Sequence, residues 1–413
     1  MDRARVLKEA GNKLVDSLFL RVALVLIVCW LGVPGRHLAA QGVKAEAKQG
    51  AKQGAKQGAK PEAKGARPGT PTLTIPASTA RAVEKGLSYL AMHQNPDGSW
   101  TDRVGRKVHM TYRGTVAPHV GVTGLAGIAF LAHGVLPGQG SAGFVMKNGR
   151  KISYCDVLEK ALEYVMSRVS AANGFISANG SRMYSHAFAT LFLAEVYGTG
   201  SYRDAEKVRR SLKNAIRLIV NAQNAEGGWR YRPGAQDSDM SITVCQVMAL
   251  RAARNAGVEV PLGTIQRAVN YVKKSFVPGV GAFTYQLGLE FRGVHSRWTP
   301  ALTAAGVTTL YSAGEYDAFQ INEGLRYILR ERPMRGEARY TFDYYYFQYY
   351  AVQAAFQKGG TYWKRWYDSI RQDLLLLQES DGRWTDLVGA NYATAMASII
   401  LQYPNQYLPI TEN

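Results

Sequence analysis

From residue 77 onward, apolar side chains recur at intervals of three and four, the period of a helix with one buried face. Val83, Leu87 and Leu90 share such a face, as do Leu212, Ile216, Ile219 and Val220, and Trp363, Trp366, Ile370 and Leu374. Each of these segments is followed by one of different character, at 123–132, 241–253 and 392–401, rich in Ala, Gly, Ser and Thr and without a polar face. Small side chains let helices approach closely, which suits an inner ring wrapped by an amphipathic outer one. The same alternation is found at 157–166 with 184–197, at 265–272 with 299–311, and at 321–329 with 344–356. Six helical hairpins result, about the number that closes an (α/α)6 barrel. No stretch alternates convincingly with period two, so the body is expected to be all-α.

The turns repeat as well as the helices. Gln94, Gly98 and Trp100 stand in the spacing Gln-x-x-x-Gly-x-Trp, and so do Gln223, Gly227 and Trp229, and Gln378, Gly382 and Trp384. The Gly permits the left-handed turn that ends a helix. The Gln amide suits backbone groups orphaned at the helix end, and the Trp can pack across the turn. Gly174 and Gly281 mark degenerate copies. These turns resemble the QW repeats of squalene and oxidosqualene cyclases, and the hairpin series is similar to the toroid of protein prenyltransferase β subunits. The resemblance spans 77–404 and implies an α/α toroid. It does not fix a reaction, because the repeat is scaffold.

The N-terminal segment reads differently. Arg3, Arg5, Lys8, Lys13 and Arg21 precede an uncharged apolar run at 22–33, broken by Pro34 and Gly35 and followed by Leu38-Ala39-Ala40. That is the order of a signal peptide, and the run is short of the ~20 residues that span a bilayer. Residues 1–40 are therefore expected to direct export to the periplasm, envelope or exterior; the alternative is an uncleaved membrane anchor over 14–33. Residues 41–76 repeat Ala-Lys-Gln-Gly and contain too little apolar surface to repay ordering. They are read as a disordered linker before the toroid at 77–413. The chain's formal net charge is +19, and residues 41–72 alone hold seven basic and two acidic side chains. A cationic tether of this kind suits weak contact with an anionic membrane or envelope polymer, which salt would loosen. No basic patch interleaved with aromatics points to nucleic acid. Cys155 and Cys245 show no metal spacing, and whether they pair stays open.

In a toroid the inner helices all point the same way, so their N-termini, with free N–H groups, meet at one mouth. His119, Tyr184, His186, Asp237, Asp239, Ser241, Arg297, Trp298, Asp343 and Asn391 fall just there. His186, Tyr184, Arg297, Trp298, Asp343 and Tyr345 are candidate ligand-binding residues, the last from an aromatic run at 340–350 that offers stacking or cation–π contacts. Asp237 and Asp239 resemble the first two aspartates of the DxDD acid motif of class II terpene cyclases, which implies that Asp239 is a proton donor. Met240 occupies the place of the last aspartate. The plain alternative is that Asp239 caps a helix. The Asp-x-Cys zinc ligands of prenyltransferases and the Cys-Gly-Glu-Gln thioester are both missing, so no metal and no cofactor is expected. The expected function is binding of an apolar or polymeric ligand at the barrel mouth, whether isoprenoid, peptide or polysaccharide. Two enzymes are the alternatives: a terpenoid cyclase using Asp239, or a polysaccharide lyase or hydrolase using Tyr184, His186 and Arg297.

Overall fold

Residues 74–108, 111–140, 143–288, 298–333 and 343–408 are described by a computed structural model. The expected export segment 1–40, the linker up to residue 73, and Arg297 lie outside the described residues. Among the described residues, twelve α-helices alternate between two kinds: α1 (Ala77–His93) and α2 (Val120–Ala132), α3 (Tyr154–Ser167) and α4 (Met183–Thr199), α5 (Ala205–Asn221) and α6 (Met240–Asn255). There follow α7 (Leu262–Lys274) and α8 (Pro300–Ser312), α9 (Phe319–Arg330) and α10 (Tyr344–Lys358), α11 (Gly360–Leu377) and α12 (Ala390–Gln402). Odd-numbered helices bury one stripe; in α5 it is Val208, Leu212, Ala215, Ile216, Leu218 and Ile219. Even-numbered helices are buried nearly all round, and in α2 every residue is. A helix without a polar face must be enclosed, and these six are enclosed by the other six.

The inner helices touch in chain order, α2 to α4, α6, α8, α10 and α12, and α12 returns to α2, so the ring is closed. Small residues set the spacing: Gly121 lies on Ser185, Gly124 on the Phe188–Ala189 backbone, and Gly127 on the ring of Phe192. Each outer helix other than α7 lies mainly against the inner helix before it, and the first of them, α1, lies against the last, α12.

One hydrogen-bond pattern organises the turns. In each Gln-x-x-x-Gly-x-Trp turn the Gln Nε2 donates to its own Gly carbonyl and to the next outer helix: Gln94 to Val157, Gln223 to Thr264, and Gln378 to Ala82 of α1. The Trp Nε1 donates back to the outer helix just ended, at Leu90, Ile219 and Leu374. The Trp backbone N–H donates to a Thr hydroxyl on the following inner helix, Thr123, Thr243 or Thr394. Gly174 and Gly281 share the positive φ of Gly98, Gly227 and Gly382. At all five positions the turn sits against a backbone carbonyl of the next outer helix. The indoles of Trp100, Trp229 and Trp384 are at most 1% exposed, a burial that contributes about 2–3 kcal/mol each.

Among the described residues, three small hairpins interrupt the helices, where the sequence suggests none: β1 (Thr101–Val108) with β2 (Thr111–Pro118), β3 (Phe144–Lys147) with β4 (Arg150–Ser153), and β5 (Phe276–Val277) with β6 (Ala282–Phe283). They pair only with themselves, β2 is largely exposed, and β5 and β6 are two residues each. β2 has no core beneath it, and β5 and β6 are too short to show a period, so alternation is left to β1, where Asp102 and Val104 are buried. Among the described residues no helix is long and apolar enough to cross a membrane. Cys155 and Cys245 are both buried and free.

Candidate functional site

The inner-helix N-termini do gather. Tyr346 at the start of α10 donates through its hydroxyl to Ser241 O at the start of α6 (3.1 Å), and its ring meets that of Tyr184, at the start of α4, at 6.4 Å. His119, Asp239 and Thr299 cap α2, α6 and α8, each accepting from a backbone N–H.

One half of this mouth is built around Asp239. Its Oδ1 accepts from Ser241 Oγ (2.6 Å) and from Ile242 N (2.9 Å). Its Oδ2 is buried without a hydrogen bond, 3.7 Å from Arg230 Nη1. Burial outweighs these favourable contacts and raises the carboxyl to about 6. Arg230 also reaches Asp237 (3.5 Å), which accepts from Gln286 Nε2 (3.2 Å). The Arg230 guanidinium lies over the rings of Tyr231 and Tyr285, whose hydroxyls bond each other at 2.5 Å. The Arg182 guanidinium also lies near Tyr231, 5.6 Å from its ring centroid.

The other half is acidic. Asp102, at the start of β1, is buried and accepts from Tyr392 N (2.7 Å), supplying the cap that α12 lacks of its own. Asp386 accepts through Oδ1 from Val388 N (2.6 Å) and Gly389 N (3.2 Å), leaving Oδ2 buried and without a hydrogen bond. Burial lifts Asp102 to about 7 and Asp386 to about 8, the latter helped by the charges of Asp102 and Asp343. The β1–β2 hairpin leans this way. Gly105 faces Gly114 in its register, and a Cβ on either would overlap the opposite strand, so the two strands pinch together there. Beyond the pinch, Tyr112 feels the charges of both Asp386 and Arg182.

Between the halves the lumen is crossed by side chains. Tyr346 and Tyr350 of α10 reach Cys245 Sγ of α6 at 3.7 and 3.3 Å. Tyr349 of α10 meets Phe188 of α4, on the opposite side of the ring, at 6.2 Å. Burial pushes the Cys245 thiol up to about 12, so it is a neutral packing group rather than a nucleophile.

The expected residues thus divide. Asp237, Asp239 and Tyr184 come together, and Asp343 joins the acidic half. Trp298 pairs with Thr284 in a short bridge beside α8. Tyr345 is buried edge-on against Tyr344. His186 is corrected: its Nδ1 accepts from Ile176 N (3.0 Å) and its Nε2 faces Ala215 O (3.2 Å), so both ring nitrogens are held by backbone. It fills the place that Thr123, Thr243 and Thr394 hold in the other turns, with Ile176 in the position of the Trp. Burial keeps it neutral, with its pKa near 4. His186→Ala is expected to cost stability, about 2–4 kcal/mol in a urea melt, and to leave ligand affinity unchanged. A drop in affinity at constant stability would return His186 to the mouth.

Arg230, Tyr231, Tyr285, Asp102 and Asp386 are not singled out by the sequence reading, yet the repeat carries a signal for three of them. The residue two beyond each Trp faces the mouth: Asp102, Tyr231 and Asp386, the outer two within a repeated Trp-Thr-Asp. Among the described residues no three His, Cys, Asp or Glu side chains gather as a metal ion requires.

No family model and no curated protein matches this sequence. Solved structures share its fold. The type II terpene cyclase MstE from Scytonema superposes with a TM-score of 0.51 at 14% identity, over 80% of this chain and 99% of its own. An α-1,6-mannanase of Salegentibacter, in complex with α-1,6-mannotriose, gives 0.51 at 7% identity over 78% and 98%. A GH76 α-mannanase from Bacteroides thetaiotaomicron gives 0.52 at 10% over 80% and 96%. At these identities the likeness establishes architecture alone: the chain has the α/α-toroid fold.

Proposed function

We propose that this toroid binds a polysaccharide chain across the mouth formed by its inner-helix N-termini. The observation that carries the reading is the filled lumen. Tyr346, Tyr349 and Tyr350 reach α4 and α6 from across the ring, so a ligand rests on the mouth rather than folding up inside the barrel. At that mouth Tyr231 and Tyr285 offer ring faces, and Arg182, Arg230 and Asp237 offer partly exposed donors and acceptors. Aromatic faces beside charged hydrogen-bonding groups suit the apolar faces and hydroxyls of sugars. Toroids of the same architecture include mannanases. The export expected of residues 1–40, and the cationic linker after them, favour a partner in the cell envelope.

A second reading rests on Asp239. A buried carboxyl with one oxygen anchored and the other unbonded, near 6 and among tyrosines, is arranged to hold and release a proton. That suits the acid of a terpenoid cyclase.

Calorimetric titration against a panel of neutral and charged glycans separates the two. A micromolar glycan ligand is expected, and Tyr231→Ala or Tyr285→Ala should weaken it roughly tenfold each. If no glycan binds and the protein instead turns over a polyprenyl substrate, with Asp239→Asn inactive, the acid reading replaces this one.

A further inference from the structure

The acidic half of the mouth has more hydrogen-bond acceptors than donors once its carboxyls are ionised, the state that a bound cation favours. Asp102 and the Oδ1 of Asp386 are occupied by backbone N–H groups of the α12 start. Asn391 donates to Thr101 O (3.0 Å) and toward Asp102 Oδ1 (3.4 Å). Two acceptors remain: Asp386 Oδ2 and Asn391 Oδ1, both buried and neither with a hydrogen-bond partner. Asn391 is 8% exposed, and its bonded amide nitrogen fixes Oδ1 within the same cluster. Asp343 adds a third carboxylate close enough to act on Asp386. Buried acceptors that lack a donor are costly, and a native fold seldom keeps them without a purpose.

We infer that this corner is a subsite for a protonated primary amine of the ligand, so that the bound polysaccharide is one carrying unacetylated amino sugars. The inference rests on the polysaccharide reading above and specifies its substrate. An ammonium has three donors and no acceptor, the complement of Asp386 Oδ2, Asn391 Oδ1 and a carboxylate oxygen beside them. The sugar platform lies at the same inner-helix ends, Asp239 and Asp102 each serving the N-terminus of an inner helix, α6 and α12.

The test uses the full chain and two probes, the hexamer of glucosamine and the hexamer of N-acetylglucosamine. The amine form is expected to bind at least roughly tenfold more tightly, as a charge-assisted hydrogen bond implies. Asp386→Asn should erase that preference while keeping the fold, because the Asn Oδ1 still accepts from Val388 and Gly389. Equal affinity for the two hexamers, or a preference that survives in Asp386→Asn, overturns the subsite. If neutral glycans bind and neither hexamer is favoured, the subsite falls and the mouth reading stands. If no glycan of any kind binds, both fall.

Discussion

Gly382→Ala should lower stability by about 3 kcal/mol or more, among the largest effects of any single methyl group in this chain. Gly382 sits at φ +93°, which an L side chain adopts only under strain. An added Cβ would also stand 2.5 Å from the carbonyl oxygen of Lys85 on α1, and backbone cannot step aside as a flexible side chain can. The contact joins the last turn of the chain to its first helix, so relieving it means lifting α1 from the ring. Gly149→Ala is the control: its φ is +74°, but nothing lies within 4 Å of the new atom, so only the conformational cost of about 1 kcal/mol remains. Gln378→Ala, which removes the bond to Ala82 O, should fall between them. Equal melting temperatures for the two glycine variants would mean that closure does not depend on this turn.

Stability is expected to decline between pH 6.5 and pH 8, by about 2 kcal/mol. Asp239, Asp102 and Asp386 are raised in the folded protein to about 6, 7 and 8 from an ordinary 3.8. The folded state therefore holds their protons more tightly than the unfolded chain. Each contributes stability at low pH and loses it as pH climbs from about 4 through its folded value. His119 and His186 act in the opposite sense. Burial lowers both to about 4 from 6.5, so their contribution is whole above 6.5 and lost as pH falls toward 4. Between 4 and 6.5 the two sets oppose each other. Above 6.5 the histidines are silent while Asp102 and Asp386 still release protons, and stability falls. Urea melts at pH 6.5 and pH 8 read this directly, and Asp386→Asn should remove most of the difference. A wild-type profile flat over that interval would show both carboxylates ionised without cost.

The ring was legible in the sequence because its determinants are local and repeated. A helix face shows as a spacing of three and four, and a turn that must approach the next helix shows as a Gly at a fixed distance from a Trp. Gly174 and Gly281 betray the same turn without its Gln or Trp. The hairpins were less legible, since β2 has no buried face to write a period of two into its residues and β1 buries only Asp102 and Val104. Asn148-Gly149 between β3 and β4 is the exception, a dipeptide made for a two-residue hairpin loop. The mouth was legible only in part. Asp239 announces itself as a cap, but whether a polar residue such as His186 faces the mouth or the wall depends on its rotation about the helix and on who receives its hydrogen bonds. Arg230, Tyr285 and Asp386 take their meaning from neighbours 50 or more residues away in several cases, such as Tyr231 with Tyr285 and Asp102 with Asn391, and no local pattern encodes such meetings.

Because α1 seals against α12, this protein differs in kind from a linear array of the same hairpins. A linear array has end units that fray and can melt one after another. Here every pair has a neighbour on both sides, and the first loss opens the whole circle. Denaturation should accordingly be a single sharp event with no partly melted plateau, and a chain cut in one connecting loop and rejoined across the α12–α1 junction should still fold.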